Sequence, residues 1–408
     1  MSRGTLQKVV GFAMAWSAVA CSTQPGESHL TSIPLDESPS QSRFAQLASP
    51  SSPGWQNQAR TLVGANNMSP LAAARVYAAL SVAQYGAVMT VNDSDADAEG
   101  GGRAALEASR GAVAGASAQV LSFFFPAAAV ALEQRVVTEG EATPGDVHPH
   151  FTRGLSVGRA AGNAMVDRLK NDHFTTPWTG TVPTGPGKWI ANGPPAGPTF
   201  GGVTPYFLTS GSQFRPPPPP AFGSPAFMTD LAEIKTISST RTAAQREIAL
   251  YWNFPTGTFT PIGYWNLTTA NYIEANKLDE RAATHAFALA SAAMMDAAIG
   301  CWDAKYFYWM IRPPQADTSI TLVFALPNHP SYPSGHSCTS AAAATVLAAL
   351  FPDRAVELDG WVMEAGLSRM YAGIHYRFDI NAGQQLGRAV GRWAVERDRQ
   401  LGLLNAIH

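Results

Sequence analysis

Cysteine is almost absent from this chain: three occur in 408 residues, Cys21, Cys301 and Cys338. So few thiols exclude a disulfide scaffold, and their spacing offers no zinc site. Cys301 and Cys338 read as two free thiols buried in helices, with one bridge between them as the alternative. Charge is scarce as well. Asp, Glu, Lys and Arg make up 14% of the chain, against about a quarter in ordinary domains. A formal net charge of −2 gives no field for nucleic acid or an anionic membrane surface. Any anion site must therefore be a local cluster of cations. Strand-like alternation is rare, no repeat of solenoid period is present, and beyond the N-terminal region no segment reads as a transmembrane helix.

Glycine (36) and proline (30) are plentiful instead, beside an apolar fraction of 46%. That balance predicts Ala-rich helices packed closely and joined by long loops. At the N-terminus, Arg3 and Lys8 precede an apolar run from Val9 to Ala20, and Ala18-Val19-Ala20 supplies a small-residue cleavage site. Residues 1–21 are therefore expected to be an export signal. Cys21 follows at once and offers a lipid attachment point, although Ala18 stands where a lipoprotein signal usually carries Leu. The mature protein is expected to be periplasmic, anchored at the outer membrane through Cys21, or secreted. Residues 22–54, rich in Ser, Pro and Gln, read as a disordered tether. Residues 55–408 then form one helical domain. Ser69-Pro70 is a helix start, and helical periodicity predicts elements over 104–132, 155–169, 240–252, 269–276, 282–311, 334–350, 356–371 and 381–399. Between His173 and Phe227 the pattern dissolves into Gly, Pro and aromatics, and the run Pro216–Pro220 reads as a rigid surface-hugging segment. The fold class is all-α, a helical bundle with long Pro/Gly-rich loops.

The residues with chemistry crowd into the last quarter, between 302 and 379. Lys305 and Arg312 lie seven apart, nearly two helical turns, so on a continuous helix both project from one face about 10 Å apart along the axis. Pro313 and Pro314 are expected to end that helix. Next, Pro333-Ser334-Gly335-His336 precedes an Ala-rich helix. A glycine at a helix mouth lets backbone N–H groups approach an oxyanion; Ser334 adds a hydroxyl donor, and His336 exchanges a proton near neutral pH. In the third cluster Arg369 offers a bidentate fork. His375 and Asp379 are spaced so that the carboxylate holds one imidazole nitrogen and leaves the other unprotonated. Gly373 permits the bend that points Arg369 and His375 inward. Taken singly, these stretches also read as a solvated helix face, a helix cap and a surface helix end.

Together, Lys305-x6-Arg312-Pro313, Pro333-Ser334-Gly335-His336 and Ser368-Arg369-x5-His375-x3-Asp379 resemble the signature of the type 2 phosphatidic acid phosphatase/vanadium haloperoxidase superfamily. Trp302-Asp303-Ala304-Lys305, His329-Pro330-Ser331-Tyr332, Ala365-Gly366-Leu367-Ser368, Arg215 with its proline run, and the stretch Trp55–Ala87 are similar to its bacterial haloperoxidase branch. The resemblance implies that Lys305, Arg312, Ser334, Gly335 and Arg369 bind a tetrahedral oxyanion. It implies that His375 bonds to vanadium or attacks phosphorus, that His336 is the acid–base residue, and that Trp302 lines the site. In the leading reading the cofactor is one vanadate per chain, the substrates are hydrogen peroxide and a halide, and the product is a hypohalous acid equivalent. The resemblance also bears on the halide: His329 matches the bromide-oxidising members, where a chloride-oxidising type carries phenylalanine. An exported acid phosphatase acting on a phosphate ester without a cofactor is the second reading. A catalytically silent oxyanion-binding protein is the third, disfavoured because both histidines and all three cations are present.

Overall fold

The computed structural model describes residues 49–95, 102–140 and 148–407, all within one compact unit spanning 43–408. The expected export signal with Cys21, and the tether as far as residue 48, lie outside the described residues. The end of the expected tether needs correction. Helix α1 (Ser52–Ala65) already begins at Ser52, because the backbone N–H groups of Ser51 and Ser52 both donate to the buried carboxylate of Glu280. Burial raises the Glu280 pKa, and those N–H donors oppose the rise.

Five helices then lead to the long loop or precede the site: α2 (Pro70–Asp95), α3 (Arg103–Phe124), α4 (Ala129–Gly140), α5 (Pro149–Lys170) and, after the loop, α6 (Pro225–Thr240). Ser69 caps α2 by accepting from the Ala72 N–H at 3.3 Å, as the Ser69-Pro70 pair predicts. The rest of the chain supplies α7 (Ala243–Tyr251), α8 (Thr260–Ala275), α9 (Glu280–Tyr308), the single turn α10 (Pro313–Ala316), α11 (Gly335–Leu350), α12 (Ala355–Tyr371), α13 (Arg377–Leu401) and the single turn α14 (Leu403–Ala406). The only bridges among the described residues are the isolated pairs Lys188–Met310 and Thr256–Thr258. The all-α expectation holds.

Helix α9 is the axle of the bundle. By length and composition it could cross a bilayer, which corrects the expectation that no such segment exists. However, 89% of its apolar window is buried inside the protein, as a core helix requires. It also ends earlier than periodicity predicts. Trp309 takes the left-handed conformation at φ 55°, and the chain then runs extended to Arg312 at φ −85°, ψ 153°. The reversal is held from outside the helix: Trp189 N–H donates to Trp309 O at 2.8 Å, and Ile311 N–H to Gly187 O at 2.9 Å. Lys305 and Arg312 therefore do not share a helix face. Pro313 and Pro314 begin a short turn rather than ending a long helix, in keeping with proline's tolerance at a first turn.

The long loop is packed against the body, as expected. Asp296, fully buried on α9, accepts from the backbone N–H groups of Tyr206, Phe207 and Leu208 at 2.7, 2.7 and 3.0 Å. Such a carboxylate replaces the water those peptide groups would otherwise need, and burial pushes its pKa to about 6. The proline run is fastened by Tyr308 Oη donating to Pro216 O and Tyr332 Oη to Pro217 O, both at 2.7 Å. Arg215 forms a two-pronged ion pair with Asp303 at 2.6 and 2.9 Å. Against the site's own helix, α13 packs without a side-chain spacer. A Cβ at Gly387 would lie 2.1 Å from Cys338 O, and that contact fixes the height of α11.

Candidate active site

Ser334 is the N-cap of α11 and accepts from the Ser337 N–H at 3.5 Å. Gly335 and His336 are thus the first helical residues, with backbone N–H groups that have no intrahelical partner. Trp302 lies over this helix mouth: a Cβ on Gly335 would be 3.2 Å from its ring. The indole is fixed by donating from Nε1 to Ala196 O at 3.1 Å.

His375 precedes α13, and Asp379 lies in its first turn. Asp379 Oδ2 accepts from His375 Nδ1 at 2.8 Å, from Ser331 Oγ at 2.5 Å and from the Tyr376 N–H at 3.1 Å. The last bond is the N3 carboxylate reaching back to the start of its helix. The carboxylate accepts, so the neutral imidazole carries its proton on Nδ1 and its lone pair on Nε2. Arg312 Nη1 stands 3.3 Å from that Nε2. Burial, with Arg312 and Lys305 nearby, drives the His375 pKa well below the ordinary value, so the ring is neutral at pH 7. Burial raises Asp379 to about 6, still ionised at that pH. Gly373, at φ 80°, makes the turn between Arg369 and His375, and a Cβ there would lie 2.7 Å from Thr321 O.

Arg369 is 1% exposed. Its Nε donates to Ser368 Oγ and its Nη2 to Ala249 O, both at 2.9 Å, while Nη1 has no hydrogen-bond partner among the described residues. His336 Nε2 lies 2.8 Å from Trp252 O. A carbonyl only accepts, so Nε2 carries the proton and Nδ1 is the free base. Burial and Arg369 lower its pKa well below the usual imidazole value. His329 Nδ1 lies 3.0 Å from Arg312 Nη2. The same Nδ1 lies 3.2 Å from Pro330 O, so it faces a donor and an acceptor at once; the shorter contact, from an arginine that cannot accept, favours the neutral ring with its proton on Nε2. Its ring centroid is 5.0 Å from that of Trp302.

Trp302, His329, Gly335, His336, Arg369 and His375 line one cavity of about 450 Å³. Lys305, Arg312, Ser334 and Asp379 stand behind its wall. Lys305 is the largest departure from expectation. Its ammonium donates to Pro330 O at 3.0 Å, Ser331 O at 2.8 Å and Pro333 O, which uses all three protons on the loop before α11. Burial lowers its pKa to about 8, leaving it charged at neutral pH. Burial also lowers the pKa of Arg312 and Arg369, which remain cations. Three buried cations therefore face one carboxylate, Asp379, and no Asp or Glu among the described residues lines the cavity. Uncompensated buried charge is costly, so a tetrahedral dianion or trianion fits this site electrostatically.

Several supporting residues carry no signal of their own in the sequence. The carbonyls of Trp252 and Ala249 position His336 and Arg369, and a backbone carbonyl leaves no mark on residue identity. Ser331 stands out only within the family-like stretch His329-Pro330-Ser331-Tyr332. The thiols are as expected: Cys301 and Cys338 are both free and buried.

A helical bundle with a positive pocket at a helix mouth and a carboxylate-held imidazole beside it defines an oxyanion-handling enzyme class. Residues 281–400 match the model of the PAP2 superfamily, in line with the resemblance read from the sequence. Among solved structures it is similar to a bacterial vanadium-dependent iodoperoxidase, with TM-score 0.72 and 25% identity over 86% of this chain and 96% of that one. It shares its fold with a bacterial vanadium-dependent chloroperoxidase in holo and apo forms. Those give TM-scores of 0.64 and 0.65, identities of 15% and 16%, and cover 81% of this chain and 94% and 93% of theirs. Non-specific acid phosphatases of Salmonella typhi and Salmonella typhimurium are 46% and 44% identical over 59 residues, 14% of this chain and 23% of theirs. The match thus spans about a quarter of those phosphatases.

Proposed function

We propose that this protein is an exported vanadate-dependent haloperoxidase. The observation that carries this reading is the likeness to the iodoperoxidase, which extends through 86% of the chain. The phosphatase likeness is confined to 59 residues.

The donor set fits vanadate. His375 Nε2 would supply the single nitrogen ligand, with Asp379 holding the ring through Nδ1. Arg369 Nη1 and the N–H groups at the mouth of α11 would bind the oxyanion's oxygens, with Ser334 capping that helix from behind the wall. Arg312, already donating toward His375 Nε2, would add charge from behind. Bound vanadate would supply a Lewis acid that polarises hydrogen peroxide toward attack by halide. His336 Nδ1 is the unprotonated nitrogen at the cavity and would take and return the proton of the incoming peroxide. Lys305 would act chiefly by holding the carbonyls of residues 330–333 so that the mouth of α11 faces the anion.

The phosphatase reading rests on the 46% identity to the Salmonella typhi enzyme. In it, His375 Nε2 attacks phosphorus and His336 protonates the leaving oxygen. One paired assay separates the two. Metal-depleted protein receives orthovanadate, peroxide and bromide or iodide, and in parallel an aryl phosphate without vanadate. Halide oxidation that appears only with vanadate supports the peroxidase; aryl phosphate turnover without halide oxidation overturns it. Loss of both activities in His375→Ala, with oxyanion binding retained in His336→Ala, would support the separate roles of the two histidines.

A further inference from the structure

The mouth of α11 and the start of α13 come from different parts of the chain, yet the anion site needs both at a fixed separation. Two hydrogen bonds tie them. Ser334 N–H donates to Asp379 O at 3.0 Å, and Ser331 Oγ donates to Asp379 Oδ2 at 2.5 Å. The first joins main chain to main chain and asks nothing of the side chain at 334. The second depends on one hydroxyl. The carboxylate's other two donors, His375 Nδ1 and the Tyr376 N–H, belong to its own turn, and Oδ1 has no partner. Among the described residues, Ser331 therefore makes the one hydrogen bond that holds this carboxylate from outside residues 375–379.

Ser331 is itself fixed in place. It is fully buried. Its N–H donates to Met310 O at 3.0 Å, and its carbonyl accepts from Lys305 Nζ at 2.8 Å. Both partners belong to the end of α9 and the segment that follows it. The hydroxyl thus carries the position of α9 onto the Asp379 carboxylate, and from there to the His375 ring. Without it, the carboxylate would be held only by neighbours on its own turn, and the imidazole could swing with it. The core's polar groups do not require this hydroxyl, because Oδ2 would keep two donors and no buried atom would be orphaned.

We propose that Ser331 is a positioning residue for His375. Its hydroxyl locks Asp379 to the loop that leads into α11, and so fixes where Nε2 stands relative to the N–H groups at that helix mouth. The proposal deepens the haloperoxidase reading, in which Nε2 is the nitrogen ligand of bound vanadate, and rests on it. Groups that hold a ligand's own partner govern affinity for what the ligand binds. An oxyanion that bonds to Nε2 should therefore feel a loosened ring, whereas one held only by Arg369 and the N–H groups should not.

The test is the affinity of Ser331→Ala for orthovanadate and for inorganic phosphate, titrated into the full chain without peroxide or halide. Orthovanadate should bind about 10-fold more weakly than to the wild type, the lower end of the usual cost of losing such a partner, while the phosphate constant should stay within about twofold. Equal losses for both anions would mean that Ser331 merely supports the fold, and no loss for either would mean that it positions nothing. Both results overturn the proposal. Ser331→Cys, similar in shape but with only a weak donor, is read in the same way should the alanine variant fail to fold. If the wild type binds orthovanadate no more tightly than phosphate, the haloperoxidase reading fails, and proton exchange decides on Ser331 alone. The His375 Nδ1 proton of the anion-free chain, followed by NMR, should exchange with water several-fold faster in Ser331→Ala. An unchanged exchange rate overturns the proposal.

Discussion

His375 Nδ1 lies 2.8 Å from Asp379 Oδ2, and that contact decides which nitrogen of the imidazole can act. The same oxygen also accepts from Ser331 and from the Tyr376 N–H, while Oδ1 is buried without a hydrogen-bond partner. With three donors on Oδ2, Asp379→Asn should keep its amide oxygen there and bury an unpartnered NH2 where Oδ1 was. Orientation survives; the negative charge does not. Orthovanadate affinity and turnover should fall about 10–100-fold, as for other partners of metal-bound histidines. Titration of the variant by orthovanadate, beside its rate, checks this. Wild-type values would show that the negative charge of Asp379 contributes nothing to His375.

Arg369→Lys should weaken oxyanion binding about 10–100-fold, the worth of one or two charge-assisted hydrogen bonds. A lysine cannot hold Ser368 Oγ and Ala249 O while offering a further N–H to the anion. Dissociation constants for orthovanadate and phosphate measure the loss. An unchanged pair of constants would place Arg369 outside the anion's reach.

His329→Phe should narrow the gap between bromide and chloride oxidation, which in the wild type should favour bromide strongly. His329 borders the cavity and takes a hydrogen bond from Arg312. Phenylalanine would free that Arg312 N–H and remove a polar ring from beside the proposed peroxide site. Rates for both halides at matched pH decide it, and efficient chlorination by the unaltered protein would end the idea.

Stability of the anion-free protein should fall as pH drops below about 6.5. In the folded chain His329, His336 and His375 have pKa values well below the ordinary 6.5, so below that pH the unfolded chain binds protons that the folded one refuses. Each such proton is worth about 1.4 kcal/mol per pH unit. Asp296 and Asp379, raised to about 6, act in the opposite sense between about pH 4 and 6 and offset part of the loss. Melting temperatures at pH 7 and 5 should show the decline. Saturating phosphate or orthovanadate should lessen it, because an anion favours the protonated imidazoles. A melting temperature that rises on acidification would contradict the expected sign.

Gly373→Ala should destabilise the fold by about 1–3 kcal/mol, the usual cost of a non-glycine residue forced into a sparsely populated backbone conformation. It should also cost activity beyond the stability loss, because the turn aims His375. Denaturant unfolding together with orthovanadate affinity separates the two effects.

Much of this site is legible in the sequence because its residues sit at helix starts and turns, where chemistry and local conformation coincide. Ser334 and Gly335 announce a helix mouth, and the four-residue step from His375 to Asp379 fits one turn. The helical fold follows from periodicity and composition. The Lys305–Arg312 relation does not, because the chain reversal at Trp309 is imposed by backbone bonds from residues 187–189, more than a hundred positions away. Helical spacing is a local rule and cannot register such a contact. The inward turn of Lys305 toward three carbonyls and the reach of Ser331 to Asp379 are tertiary facts of the same kind.

Cys301 and Cys338 are both fully buried, one helical turn before Lys305 and one after Ser334. A catalyst of the proposed kind releases an electrophile that attacks sulfur first, so its lifetime depends on where its own sulfur lies. Both thiols are shielded by close packing, while Met228 and Met363, 49% and 43% exposed, meet the solvent. Self-inflicted oxidation would therefore begin as methionine sulfoxide on the surface, a reversible lesion. The thiols beneath the anion pocket, whose oxidation would strain α9 against α11, would be the last to be reached.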